Sequence, residues 1–238
     1  MTQQTLKKKK PGLWYIAAAA IAALGACMLL YPLITNLLYK DKVAAQKAEF
    51  LERVSQGTEG AEGPYEELYR LLKSKNISLY ETGQDRLVDV FSYETAGVDL
   101  SEYGIEDNCI GFVEIPAINI EMPVYLGANQ ENMSKGAVHM TQTSYPIGGE
   151  NTNAVIAAHR GGVEQMLRNI HRIQIGDEVV LTNFRERLVY RAAEIRIISP
   201  SDIDKVMIQD GRDLITLLSC NPIGRNYQRY VLHCERVG

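Results

Sequence analysis

The sequence has few of the residues that would mark a metal site, a disulfide framework or a nucleic-acid-binding surface. It holds four cysteines, four histidines and one tryptophan among 238 residues, and 29 acidic residues outnumber 25 basic ones. No group of cysteines, histidines and acids has metal-ligand spacing, and there is no glycine loop of the phosphate-binding kind. The formal net charge of −4 disfavours DNA or RNA binding, which usually requires a basic surplus. We therefore expect no metal, no cofactor and no nucleic-acid partner.

The charge that is present is unevenly distributed. Residues 1–10 contain Lys7 to Lys10 and no acid, which leaves 21 basic and 29 acidic groups, a net of −8, in residues 11–238. Directly after these lysines, residues 13–39 contain no charged side chain and carry Trp14 and Tyr39 near their two ends. A membrane-spanning helix needs about 20 apolar residues, and flanking lysines stay on the cytoplasmic side. The pattern predicts a cytoplasmic basic tail (1–12) and a transmembrane signal anchor (13–39).

A cleaved signal peptide and a buried core helix are the two alternatives to an anchor. A cleaved signal peptide usually has an apolar core of about 7–15 residues, and this run is longer and lacks a clear small-x-small cleavage site. A buried core helix is disfavoured by the four lysines just before the run. We therefore expect a single-pass protein of the plasma membrane, with residues 40–238 outside the cell as in a Gram-positive-type surface protein.

The pattern of residues 40–108 predicts a helical stalk followed by a lid segment. Residues 40–56 form an amphipathic helical pattern, the glycine-rich stretch 57–63 interrupts it, and Pro64 suits the first turn of a second helix over 65–75. Residues 76–108 mix short apolar pieces with glycine and acids. A long segment of this kind in a compact protein is often a functional lid.

From residue 109 onward the sequence changes to short strand patterns separated by turn residues. Only residues 164–171 look helical within it. Many short strands at modest spacing predict a mainly β fold, either a sandwich or a barrel. The eight predicted strands are 110–115, 118–125, 137–140, 154–159, 178–183, 188–198, 214–219 and 230–235.

Cys220 stands out at the end of a predicted strand. If strands 214–219 and 230–235 pair antiparallel, Cys220 faces the strand start near Arg229 and Cys234 lies five residues further on. That separation is ~16 Å at the rise of a strand, whereas a disulfide needs Cα atoms within ~7 Å. Cys220 is therefore predicted to be a free thiol. A small buried hydrophobe is the ordinary alternative for a cysteine.

His159 and Arg229 could give this thiol a chemical role. His159 ends an apolar strand and precedes Arg160 and two glycines, so its ring can sit at a rim. A thiolate, an imidazole and a guanidinium at one rim would suit acyl transfer, with the thiolate attacking a carbonyl, the imidazolium protonating the leaving amine and the arginine supporting the oxyanion. His139, His171 and His233 are expected to be packing or surface residues.

Several segments resemble one known family. Residues 216–220 read Thr-Leu-Leu-Ser-Cys and are followed nine residues later by Arg229, which resembles the Thr-Leu-x-Thr-Cys…Arg signature of sortases. Residues 158–161 (Ala-His-Arg-Gly) resemble the sortase histidine motif, and residues 111–116 (Gly-Phe-Val-Glu-Ile-Pro) the opening strand. Segments 136–139 and 146–152 look most like class C, the pilin-assembling branch. The resemblance covers roughly residues 110–237.

The resemblance implies a sortase-type eight-stranded β-barrel in residues 109–238 and a cysteine transpeptidase. It implies cleavage between Thr and Gly of a Leu-Pro-x-Thr-Gly sorting signal, with Cys220 as nucleophile, His159 as general acid and base, and Arg229 orienting the substrate and supporting the oxyanion. Ser219 replaces the usual Thr and keeps a hydroxyl beside the nucleophile. Arg225 is a competing arginine in the same loop. Both are candidate substrate-binding residues.

Two features depart from class C. The class C lid carries Asp-Pro-aromatic, whereas here Asp89-Val90-Phe91 has no proline. A degenerate lid would place Phe91 over Cys220 and Asp89 near Arg229, and the alternative is that these residues pack in an ordinary helix or strand. Many pilin-type members also end in a further transmembrane helix, whereas this sequence ends at Gly238, which weakens the pilus assignment specifically.

The partners expected from the resemblance are a pilin or surface protein with a sorting signal, an amine acceptor and the membrane. The acceptor would be a pilin lysine, or else a peptidoglycan amine in a wall-anchoring enzyme. L,D-transpeptidases also use Cys and His but expect Ser-His-Gly-Cys, and residues 218–221 read Leu-Ser-Cys-Asn. An anchored β-barrel binding module without enzymatic activity is the remaining alternative.

Overall fold

Eight strands close into a single β-barrel in the computed structural model, which describes residues 12–57, 63–84, 95–161 and 166–237. The order around the barrel is β1-β2-β3-β4-β7-β8-β6-β5. Each predicted strand overlaps one observed strand, so the predicted mainly β, eight-stranded barrel fold is confirmed. The strands are β1 (Cys109–Ile115), β2 (Ile120–Leu126), β3 (Ala137–His139), β4 (Thr152–Ala157), β5 (Glu178–Asn183), β6 (Arg187–Ile198), β7 (Asp213–Asn221) and β8 (Gln228–Arg236).

Strands β4 and β7 form a buried parallel pair in the barrel. They pair in parallel, with Ala154 opposite Ile215 and Ala157 opposite Leu218. All six residues of β4 and residues 214–219 of β7 are buried. Parallel strands covered on both faces carry near-continuous apolar sequences, as these two do. Because the pair is parallel, both strands end at the same end of the barrel.

The N-terminal helix α1 (Leu13–Gly57) is continuous and contains Pro32. The sequence predicted two segments, 13–39 and 40–56, and these fall in the one helix. Large apolar side chains are exposed along its first half, from Trp14 to Leu38, and burial against the barrel starts at Tyr39. Phe50 then packs edge-on against Phe112 of β1, with ring centroids 5.4 Å apart.

The second helix, α2 (Pro64–Glu81), extends beyond the predicted 65–75. Asn76 is buried where the helix meets the barrel, and its side chain makes two hydrogen bonds with the backbone of Tyr145. Its Nδ2 donates to the carbonyl oxygen at 3.2 Å, and its Oδ1 accepts from the amide at 2.7 Å. This pairing satisfies a buried amide that would otherwise destabilise the fold.

Two helical features differ from the prediction. Within the predicted helix 164–171, the described residues form a turn that leads into a short 3₁₀ helix, Ile170–Arg172. A short helix that was not predicted, α3 (Gln130–Lys135), precedes β3. Its first turn is capped by the Asn129 side chain, which accepts from the amide of Asn132 at 2.8 Å. Six mostly polar residues are too few to show a helical apolar period.

Candidate active site

Cys220 and Arg229 lie directly opposite each other on neighbouring strands. The antiparallel register of β7 and β8 pairs these two residues. Side chains of directly opposed residues emerge on the same face, with Cβ atoms ~5 Å apart. Cys220 is half-buried and free, and Cys234 pairs instead with Ile215. The prediction that Cys220 faces Arg229 and makes no disulfide with Cys234 is confirmed.

His159 directly follows the end of β4, which brings it to the same end of the barrel. The amide of Ala158 donates to the carbonyl oxygen of Leu218 at 3.1 Å, which extends the β4–β7 pairing past the last strand residue. Beyond this hydrogen bond, His159 follows on the β4 side, and Ser219 and Cys220 follow on the β7 side. His159 is exposed, and its carbonyl oxygen accepts from the amide of Leu167 at 3.0 Å.

Ser219 supports this arrangement from inside the barrel. Its side chain is only 2% exposed, and its hydroxyl donates to the carbonyl oxygen of Ala158 at 2.7 Å. The bond joins the residue before the cysteine to the residue before His159. In this structure the hydroxyl therefore contacts the strand that carries the histidine.

Arg229 and Arg225 occupy different environments in the loop between β7 and β8. Arg229 is buried, and its Nη1 donates to the backbone carbonyl oxygens of Asn226 and of Gln228, the latter at 2.9 Å. Arg225 is exposed. The guanidinium of Arg229 is thus held by its own loop at the level of Cys220, whereas Arg225 projects from the loop.

Arg160 is a residue of the site to which the sequence analysis gave no role. It is only 6% exposed, and its Nη1 donates to the carbonyl oxygen of Cys220 at 3.3 Å and to Oδ1 of Asn221 at 2.5 Å. Its guanidinium also lies over the ring of Tyr230, 5.0 Å from the centroid. The signal in the sequence was a basic residue directly after the histidine, but its contacts arise only when β4, β7 and β8 are assembled.

The three cysteines of the barrel, Cys109, Cys220 and Cys234, differ in burial. Desolvation raises the pKa of Cys109 to about 12 and also raises the pKa of Cys234, so both thiols stay protonated at neutral pH. Burial likewise raises the pKa of Tyr230, which keeps the ring beneath Arg160 neutral. Cys220 is half-buried at a strand end and is therefore the thiol best placed to meet a substrate.

Asp89 and Phe91, the predicted lid residues, lie outside the described residues, and the lid stays a prediction. The flanking residue Gln84 is buried against the barrel. Its Oε1 accepts from the amide of Ile208 at 2.7 Å, and its Nε2 donates to the carbonyl oxygen of Gln142 at 3.3 Å. The predicted lid segment, 76–108, is thereby attached to the barrel at Gln84.

A closed mixed barrel with a free cysteine, a histidine and an arginine at one end has the features of a cysteine-dependent acyl transferase. Comparison with known proteins specifies the class further. The Sortase domain family model matches residues 113–237, and the chain belongs to the sortase family, whose members are cysteine transpeptidases.

Several relatives are similar along much of the chain. Sortase D of Bacillus subtilis (strain 168) is 27% identical over 130 residues, which are 53% of this chain and 63% of that protein. The chain thus matches somewhat less than two thirds of that relative's length. Sortase C1 of Streptococcus agalactiae superposes with a TM-score of 0.70 at 27% identity, covering 82% of this chain and 97% of the other.

A third relative is Streptococcus pneumoniae sortase C, whose structure was described in terms of catalysis and pilin substrate specificity. It superposes with a TM-score of 0.62 at 28% identity and covers 82% of this chain and 97% of the other.

Proposed function

We propose that this protein is a membrane-anchored transpeptidase that joins pilin subunits. It would open the Thr–Gly bond of a Leu-Pro-x-Thr-Gly-type sorting signal and transfer the new acyl group to a lysine amine. The observation that carries the proposal is the strand register, which sets Cys220 opposite Arg229 with His159 at the adjoining strand end. The similarity to sortase C structures supports the pilin assignment.

The chemistry proceeds in two transfers. The Cys220 thiolate attacks the threonine carbonyl carbon, and the His159 imidazolium gives its proton to the glycine amine as the C–N bond breaks. The threonine is then held as a thioester. An incoming amine attacks this thioester, its proton passes to His159, and the Cys220 thiolate leaves. The cysteine and the imidazolium are thereby regenerated.

Arg229 would stabilise the negative charge that develops on the carbonyl oxygen in both transfers. Its guanidinium is buried and held by backbone carbonyl oxygens, so it needs little reorganisation when the charge forms. Arg225, exposed in the same loop, is the competing candidate for contact with the substrate.

We also propose the organisation in which this chemistry takes place. Residues 1–12 form a cytoplasmic tail, 13–39 a single transmembrane anchor, 40–108 a stalk and lid, and 109–238 the extracellular catalytic domain. The anchor is supported by the length and apolar composition of the first half of α1, whose side chains are exposed. The lysines before it, Lys7 to Lys10, favour a cytoplasmic N-terminus.

The test uses the full chain in detergent micelles with a fluorescent Leu-Pro-x-Thr-Gly peptide. Two acceptors compete in one reaction, a peptide with one internal lysine and an oligoglycine that mimics a peptidoglycan amine. We expect the peptide joined to the lysine as the main product and no product from Cys220→Ala. Cys27→Ala is the matched control and should retain activity.

A dominant oligoglycine product would support the wall-anchoring alternative. If neither product forms and Cys220 does not react with a thiosulfonate probe, the protein is a binding module and the proposed activity is wrong.

A further inference from the structure

The hairpin between β1 and β2 lies at the same end of the barrel as the active site. β3 runs antiparallel to β4, so the start of β3 is level with the end of β4, with Val138 opposite Ala157. β2 runs parallel to β3, so the start of β2 is at this end as well. The β1–β2 connection, which includes the 3₁₀ helix Pro116–Ile118, therefore shares the catalytic end with His159 and Cys220.

The barrel-bound half of α1 runs along the β1–β2 hairpin, starting from this end. Asn36 lines a cavity with Asn119 of the hairpin connection. Further along, Phe50 packs on Phe112, and Arg53 pairs with Asp107 at 3.8 Å. From residue 36 to 53 a helix advances ~26 Å. The contacts of residues 36, 50 and 53 follow the hairpin from its connection back along β1, so this half of the helix lies beside the hairpin.

The rest of α1 must then project beyond the catalytic end. Residues 13–35 would extend ~34 Å as a helix, which is enough to cross a hydrocarbon core of ~30 Å. The same helix continues from Leu38, which is exposed, to Tyr39, which is buried against the barrel. If the first half of α1 crosses the membrane, the catalytic end of the barrel lies at the bilayer surface.

The loops at this end carry exposed apolar and basic side chains. We define the catalytic rim as residues 166–177 and 222–228, on either side of the active site. Ile175 and Tyr227 are each 60% exposed and Ile223 is 45% exposed, and all three belong to the rim. The exposed arginines of the rim are Arg168, Arg172 and Arg225.

The first part of the rim lies beside α1. Met166 and Asn169 line the same cavity as Asn36. Asp177 is the acidic residue of the rim, and Glu178 follows it at the start of β5. Three arginines with three large apolar side chains are typical of a surface that contacts lipid headgroups.

We propose that the catalytic rim rests on the headgroups of an anionic bilayer, the same one that α1 crosses, so that Cys220 takes its acyl donor at the membrane surface. The arginines would contact lipid phosphates, and Ile175, Ile223 and Tyr227 would enter the interface. This inference rests on α1 being the anchor proposed above. It specifies the substrate as a sorting signal presented close to the bilayer.

The test measures the depth of single tryptophans in the full chain, reconstituted in nanodiscs that contain anionic lipids brominated near the headgroup end of the acyl chain. Trp14→Phe removes the native tryptophan. Ile175→Trp or Tyr227→Trp is added to report on the rim. Arg187→Trp is the matched control, because Arg187 is exposed and is the first residue of β6, next to the β5–β6 turn at the opposite end. We expect at least twofold quenching at 175 and 227 and less than 10% at 187.

Equal, negligible quenching at all three positions would overturn the proposal, as would stronger quenching at 187. A second measurement separates this outcome from failure of the proposed function. Ile175→Ser with Arg172→Gln should lower turnover of a lipid-tethered donor peptide at least fivefold and leave turnover of the soluble peptide unchanged. An unchanged ratio of the two rates would count against the rim. If the wild-type chain turns over neither the lipid-tethered nor the soluble peptide, the transpeptidase assignment is contradicted instead. The quenching measurement would still decide whether the catalytic rim contacts the bilayer.

Discussion

Removal of the Arg160 guanidinium tests whether the active site depends on the contact between the histidine strand and the cysteine strand. Arg160→Met keeps the length and apolar stem of the side chain but removes both donated bonds, to the carbonyl oxygen of Cys220 and to Asn221. A hydrogen bond from a charged donor contributes about 1.5–3 kcal/mol. The stacking on Tyr230 adds about 0.5–2 kcal/mol. Counting only the shorter bond, to Asn221, truncation should therefore cost the folded site about 2–5 kcal/mol.

Part of this free energy should appear as lost activity, because the contact fixes the backbone of the nucleophile. We expect kcat of Arg160→Met to fall about 10- to 100-fold, the equivalent of about 1.4–2.8 kcal/mol. KM should change less than threefold, and alkylation of Cys220 by iodoacetamide should slow. Arg160→Lys, which keeps the charge but not the planar fork, should recover only part of the rate.

The assay follows peptide cleavage by the full chain in detergent, at a temperature at which every variant is folded. Arg187→Met, at the other end of the barrel, is the matched control and should be indistinguishable from the wild type. A fully active Arg160→Met would refute the positioning role. So would an equal loss in the control, because the effect would then not be specific to the site.

Three further predictions concern Arg229, Ser219 and His139. Arg229→Ala should lower kcat/KM at least about 100-fold, the usual cost of losing an oxyanion donor. Arg225→Ala should lower kcat/KM less than about threefold. The opposite ranking in a peptide assay would assign the oxyanion role to Arg225. Ser219→Ala should lose about 1 kcal/mol of unfolding free energy because the bond to the Ala158 carbonyl disappears, whereas Ser219→Thr should keep it; equal denaturation midpoints would contradict this. Burial lowers the pKa of His139 to about 4. Between pH 4 and the unfolded pKa of ~6.5, the unfolded chain therefore binds a proton at this residue that the folded chain does not. The free energy of unfolding consequently falls as the pH is lowered through that window. From pH 7 to pH 5 this should cost about 2 kcal/mol, and His139→Gln should show a smaller loss; equal losses would refute the assignment to His139.

The barrel could be predicted from sequence because each strand carries its own local signal. The run predicted at 178–183 and the observed strand Glu178–Asn183 coincide, since β-rich residues there are bounded by Gly176 and Asp177. The cross-strand pairing of Cys220 with Arg229 could also be predicted from the local sequence. Two strands joined by a short loop pair antiparallel, and their register is fixed.

What sequence reasoning missed depends on contacts between distant segments. The role of Arg160 requires three strands to meet, and the packing of Phe50 on Phe112 requires α1 to lie along the β1–β2 hairpin. The helix predicted at 164–171 has an amphipathic pattern, but its described part is a turn and a 3₁₀ helix next to the β1–β2 hairpin. Tertiary packing overrides such a weak local preference.

The central claim is that Cys220 is the residue that holds the acyl group. Mass spectrometry of the intact chain, mixed with a Leu-Pro-x-Thr-Gly peptide and no amine acceptor, tests it most directly. We predict one adduct with the mass of the peptide up to its threonine, mapped to Cys220 and discharged when an amine is added. No adduct, or an adduct on Cys27, Cys109 or Cys234, would contradict the claim.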